Sequence, residues 1–219
     1  MNVIYEDNHL LVVEKPYGVP SQADETGDAD MLSICKAYIK ERYNKPGDVY
    51  LGLVHRLDRP TRGLMVFART SKAAARLSEQ IKSGEFQKTY LAVLTAAPEK
   101  ESGELWDWLI KDEKERTARI SDEGEQGAKS AGLRYEVLDK KEGLCLVRVA
   151  LLTGRFHQIR AQFAHRGCAV YGDMKYGRRE TKDKLALFAA DLSFLHTTKG
   201  ERLEFSIIPS HHPFNLFSF

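Results

Sequence analysis

The chain has 219 residues, 42% of them hydrophobic and 29% charged, with a formal net charge of +2. This is the composition of a folded globular protein and excludes a disordered chain, a collagen-like chain or a coiled-coil rod. Apolar runs such as those at 10–13 and 186–190 are short, and none approaches the ~20 residues that cross a bilayer. The start, MNVIYEDNHL, lacks the pattern of a secretory signal, and Cys35, Cys145 and Cys168 are too few and too scattered for a disulfide framework or a zinc site, so a reduced, cytoplasmic protein is expected.

In chain order, two short strands at 3–5 and 10–14 separated by the polar turn EDNH predict a hairpin. The acidic segment 21–30 reads as an exposed loop, with Asp30 as the cap of a helix over 31–43. A strand is predicted at 49–54, then the polar loop HRLDRPTRG at 55–63, then a strand at 64–68. Ser71 is a suitable N-cap for a helix over 72–82 that Gly84 ends. KTYLAVL (88–94) reads as a strand, and the charge-rich segment 98–130 as an exposed excursion or small lobe. Strands follow at 133–138 and 144–151, a helical pattern within 153–167, and closing strands at 185–195 and 202–207. The class is therefore α+β, a largely antiparallel mixed β-sheet core with flanking helices.

Charge is unevenly distributed. Residues 51–100 carry a net +5 and 151–219 a net +4, whereas 1–50 and 101–150 carry −4 and −3. If the two basic blocks meet, they form a surface for a polyanion. Each holds one polar motif. In the first, Asp58 sits among His55, Arg56, Arg59 and Arg62 between two strands. Flanking cations favour its ionised form, although an Asp–Arg cluster is more often a structural ion pair than a catalytic group. In the second, Arg155, His157, Gln158 and Arg160 open a helix, where anions are favoured; the plain alternative is a solvated helix face.

Together the motifs resemble the RluA-type pseudouridine synthases. The carrying segments are EDNHLLVVEKPYGVPSQ, LVHRLDRPTRGLMVFART, KTYLAVL and TGRFHQIRAQFAHRGCAVYGDMKYG, in the family's order. The resemblance implies the pseudouridine synthase fold with a catalytic cleft, a single catalytic domain over 1–219, and no small N-terminal RNA-binding domain of the kind many relatives carry. It implies an RNA substrate, a uridine of ribosomal or transfer RNA held in a stem-loop, for a monomer with no cofactor, no metal and no DNA or membrane partner.

It also implies roles. Asp58 is the catalytic carboxylate, acting on the sugar, on the base or through a glycal. Arg160 is its salt-bridge partner, and Tyr90 stacks on the uracil and takes the proton from C5. Arg56 fills the space left by a flipped base. His55, Arg155, His157 and Gln158 are candidate RNA contacts, with hydrogen bonding inside the loops as the alternative; Arg62 is a candidate phosphate contact or a solvated side chain, and Lys88 is a further candidate contact. Two positions depart from the family pattern: Arg62 stands where Ser is usual, and Phe156 where Thr or Ser is common. Both bear on substrate preference.

Two rival readings exist. HRLD shares letters with the kinase motif HRD, but the chain lacks a glycine-rich loop, a VAIK lysine and DFG. A catalytically inactive RNA-binding protein on the same fold is the other; the presence of Asp58, Tyr90 and Arg160 argues against it.

Overall fold

The protein was analysed as a computed structural model that describes residues 1–177 and 183–219. The described chain forms two compact units, one of residues 1–88 and 189–207, the other of 89–188 and 208–219.

The first unit begins with the expected hairpin, β1 (Asn2–Glu6) antiparallel to β2 (Leu10–Lys15). The turn is set by Asp7, whose Oδ1 accepts from the backbone N–H groups of His9 and Leu10. β2 pairs antiparallel with β4 (Arg62–Ala68), and the register places Lys15 opposite Gly63. β10 (Leu187–Leu195) lies beside β4, with β11 (Arg202–Ser206) antiparallel on it. Leu10, Leu11, Val12 and Val13 are all fully buried. A strand covered on both faces needs no polar alternation, which is why LLVV is a continuous apolar run. One face packs Leu10, Val12, Leu64, Val66, Leu77 and Phe194 into a single cluster. Each such side chain contributes ~1.5–3 kcal/mol by leaving water.

Helix α1 (Met31–Arg42) is capped by Asp30, as expected. Helix α2 (Ser71–Ser83) starts one residue earlier than expected, because Thr70 is the cap and its side chain accepts from the Ala73 N–H; Gly84 ends it at φ +80°. The strand expected at 49–54 is reduced to β3 (Gly52–Leu53). The acidic loop 21–30 is exposed only in its middle: Ser21 and Asp30 are buried at its ends.

The chain enters the second unit inside β5 (Gln87–Leu94). There β5 pairs with β9 (Leu144–Leu151), β9 with β8 (Lys129–Lys141), β8 with β6 (Ser102–Asp112) and β6 with β7 (Thr117–Ser121), all antiparallel. The expected excursion at 98–130 is thus the β6–β7 hairpin, continuous with the sheet of its unit. Leu105, Leu109 and Ala118 turn inward from it. Helix α3 (Gln158–His165) covers that inner face, with Ala161 against Leu109, Ala118 and Ala131, and Phe163 edge-on to Tyr135. A 3-10 turn at Phe214–Leu216 closes the unit, with Phe214 against Phe188. No described helix is long and apolar enough to cross a membrane.

Candidate functional site

Residues 54–61 join β3 to β4 and are held mainly by their backbone. Leu57 is buried, and Ser21 clips it on both sides: its Oγ accepts from the Leu57 N–H at 3.0 Å and donates to the Leu57 carbonyl at 2.7 Å. The Thr61 N–H donates to the Asp58 carbonyl at 2.9 Å, closing a turn over Arg59 and Pro60. This leaves the Asp58 side chain half-buried at the turn's start.

The three arginines have separate environments. Arg59 donates to the Gly18 carbonyl and to Thr26 and pairs with Asp24 and Asp28, so the acidic loop is its counter-charge. Arg62 lies 3.6 Å from Glu14. Arg56 is exposed and has no hydrogen bond or ion pair among the described residues.

Beneath the turn lies Lys15, which sequence reading missed. It is fully buried and its Nζ donates to the carbonyls of Pro16, Val19 and Arg59 at 3.1, 2.6 and 2.9 Å. Burial pulls its pKa down to about 7, against an opposing pull from the negative charge of Asp58. The signal was available: a lysine closing a strand that opens with four apolar residues, directly before Pro16.

His55 is 8% exposed, and its Nε2 accepts from the Val66 N–H at 3.0 Å. That bond places the ring proton on Nδ1. Burial first, and the charge of Lys88 second, lower its pKa to about 3, so the ring is neutral. Lys88 is itself shifted down by burial, its Nζ 6.0 Å from the Phe86 ring centre.

In the second unit, Tyr90 is buried on β5 opposite Val149. The loop 152–157 is held by side chains. Gln158 Oε1 accepts from the Thr153 hydroxyl at 2.7 Å and the Arg155 N–H at 3.0 Å, while its Nε2 donates to the Gly132 carbonyl at 2.9 Å. Arg155 is exposed and its Nε donates to the Ser130 carbonyl. The loop-bonding alternative therefore describes contacts that Gln158 and Arg155 make.

His157 precedes α3 in the left-handed region, at φ +51°, unusual for a residue with a Cβ. Its ring is fixed from two sides. Phe156 stacks on it at 3.8 Å, and its Nδ1 meets the Tyr176 hydroxyl at 2.8 Å. That hydroxyl oxygen also accepts from the Ala118 N–H. Burial first, then the charges of Arg160, Lys175 and Lys111, lower the His157 pKa to about 2.

A solvated helix face is not what α3 presents. Gln158, Ile159, Arg160, Ala161, Gln162 and Phe163 are all buried. Arg160 has an acidic neighbour within its own unit that sequence reading also missed: its Nε and Nη2 donate to the two carboxylate oxygens of Asp173 at 2.7 and 2.8 Å. Both side chains are almost wholly buried, and the Lys175 and Tyr176 N–H groups bond Asp173 Oδ1 as well. No cluster of three or more His, Cys, Asp or Glu suited to a metal ion occurs among the described residues.

The sequence relationships accord with this arrangement. The chain is 30% identical over 214 residues to ribosomal large subunit pseudouridine synthase C of Buchnera aphidicola, covering 92% of this chain and 65% of that protein. It is 32% identical over 212 residues to the protein of the same name from Escherichia coli, with 91% and 63% covered. The chain thus spans just under two thirds of the length of these relatives. The fold is shared with human RNA pseudouridylate synthase domain containing 4, at TM-score 0.79 and 22% identity over 94% of this chain and 87% of that one. With human RNA pseudouridylate synthase domain containing 1 the TM-score is 0.76 at 25% identity, over 97% and 84%. Both have the fold class expected from the sequence. The RNA pseudouridylate synthase family matches residues 9–165, a span holding the HRLD loop, Tyr90 and Arg160, and the chain belongs to that family.

Proposed function

We propose that this chain isomerises a uridine of structured RNA to pseudouridine, with Asp58 as the catalytic carboxylate. The observation that carries the reading is the family match over 9–165, with Asp58 on a backbone-clipped turn inside it. The reaction breaks the N1–C1′ bond, turns the base and forms a C5–C1′ bond; C5 loses a proton and N1 gains one. No oxidant, nucleotide donor or metal enters that balance. In this reading Asp58 attacks the sugar or base, or initiates glycal formation. Arg160 holds its charge, Tyr90 stacks on the uracil and takes the C5 proton, and Arg56, lacking any partner among the described residues, fills the vacated stack. Arg62, Lys88, Arg155, His55, His157 and Gln158 border the RNA.

The names of the Buchnera and Escherichia relatives favour large-subunit ribosomal RNA, with the uridine in a stem-loop. The test is tritium release from RNA carrying C5-tritiated uridine, with ribosomal and transfer RNA compared. Release is expected from ribosomal RNA. Asp58→Asn should reduce it more than about 1,000-fold with RNA binding retained. Binding without release by the wild-type chain would replace the enzyme with an RNA-binding protein.

A further inference from the structure

We infer that Phe156 is a stacking platform for an unpaired nucleobase of the bound RNA, and that it helps to set which RNA is accepted. This rests on the family's RNA substrate class and extends it to a recognition residue outside the reacting groups.

Phe156 is half-buried at the mouth of α3 and reaches the cluster of Leu109, Ala118, Ala131 and Ala161 only at its margin. One ring face is occupied by His157, parallel within 18°. The Lys111 Nζ also lies over the ring, 5.1 Å from its centre. Lys111 is a surface side chain that also pairs with the exposed Glu113 at 2.6 Å. A surface cation over a ring is a weaker occupant than a base stacked on it. A base can therefore take its place over the ring while Lys111 exchanges Glu113 for a backbone phosphate.

The platform is built to stay in place. His157 remains at φ +51° because its ring is locked between Phe156 and the Tyr176 hydroxyl. Tyr176 is anchored in turn by the Ala118 N–H and lies under the Arg160 guanidinium, 5.1 Å from its ring centre. Three aromatic rings in series with a cation at each end form a rigid π surface in a positive field. That combination holds single-stranded RNA, because every base has a π face and every nucleotide a phosphate.

The probe is a short single-stranded oligouridylate carrying one 5-iodouridine, with cross-linking on irradiation mapped by mass spectrometry and affinity read by anisotropy. An adduct on Phe156 is expected. Phe156→Leu keeps apolar bulk but removes the π face; it should abolish the adduct and weaken binding about 10-fold. Phe156→Tyr and Phe156→Trp should retain affinity, and all variants should melt cooperatively near the wild type. The inference is overturned if the wild-type chain does not bind the probe, if the adduct lies elsewhere, or if Phe156→Leu binds as tightly as the wild type. It is separable from the enzymatic reading. Adducts on Phe156 without tritium release leave the platform standing and remove the isomerase, and normal turnover by Phe156→Leu with unchanged KM does the reverse.

Discussion

Between β3 and β4, the turn that carries Asp58 is gripped through its backbone. Ser21 grips the Leu57 peptide, Lys15 binds three carbonyls, and the Asp58 side chain is half-buried at the turn. Between β9 and α3, the charged and polar side chains are themselves the fixed parts. Arg160, Gln158 and His157 are buried and bonded to Asp173, Gly132 and Tyr176. In the proposed reaction Asp58 needs a firm base. A cation that only has to be present at one place gains from rigidity. The comparison teaches where a substitution should cost activity and where it should cost the fold.

The largest effect on stability is expected at Asp173. Asp173→Ala leaves the Arg160 guanidinium without its two-bond partner in a site almost closed to water, which costs about 3–5 kcal/mol. Asp58→Asn, in the half-buried turn, should change stability by less than about 1 kcal/mol while removing turnover. Urea unfolding of both variants checks the contrast. If Asp58→Asn is the more destabilising of the two, the division between a held backbone and held side chains is wrong.

How much of this was legible depended on how local the cause was. The Asp30 cap, the EDNH turn and the Gly84 stop each act within a few residues and were readable. So was the family, through the order of motifs. The Arg160–Asp173 pair was not, because it depends on the loop after α3 turning back beside the helix. The β6–β7 hairpin was obscured by composition. Its charges suggest a loop, but buried Leu105 and Leu109 against exposed Glu104 and Trp106 have the two-residue period of a strand with one wet face. Residues 49–54 had strand composition, yet only Gly52 and Leu53 find partners on β4.

A second contrast uses acid. His55 and His157 lie one in each unit and are both held neutral, with pKa values lowered to about 3 and about 2. The unfolded chain takes up a proton on each near pH 6.5, and the folded chain does not. Stability should therefore fall with falling pH below about 6.5. Each histidine contributes up to about 1.4 kcal/mol per pH unit. Measured between pH 6 and 4.5 (roughly, above most carboxylate titration), His55→Asn and His157→Asn should each remove about half of the slope. A slope unchanged in either variant would show that its histidine titrates normally in the fold.

Lys15 gives a slope of the same sign at the other end of the scale. Its folded pKa of about 7 lies below the value of 10.5 for a free lysine, so above pH 7 the unfolded chain binds the extra proton. Stability should then rise with pH between about 7 and 10.5. Lys15→Met removes that rise. It also leaves the carbonyls of Pro16, Val19 and Arg59 without this donor, offset by the loss of a buried charge, for a net loss of about 2 kcal/mol at pH 7. Melting temperature against pH for the two proteins reads both effects. A parallel pair of curves would mean that Lys15 stays charged throughout.

The smallest effect separates the two regions most finely. Ser21→Ala and Thr153→Val each delete one buried or half-buried hydroxyl that joins a loop to its neighbour. Each should lower stability by about 1–2 kcal/mol, since each leaves backbone or amide groups with fewer partners. Their kinetic consequences should differ. Ser21 holds the peptide next to Asp58, and its loss allows Leu57 to shift and the turn with it. Misplacement of a reacting group by even a fraction of an ångström lowers kcat, so Ser21→Ala should reduce kcat about 10-fold with KM little changed. Thr153 holds a loop whose other bonds, from the Arg155 N–H to Gln158 and from Gln158 to Gly132, remain after substitution. Thr153→Val should then leave kcat within about 2-fold of the wild type. Tritium-release kinetics on the two variants decide it. Equal losses of kcat would mean that the turn carrying Asp58 is no more sensitive to its supports than the loop before α3.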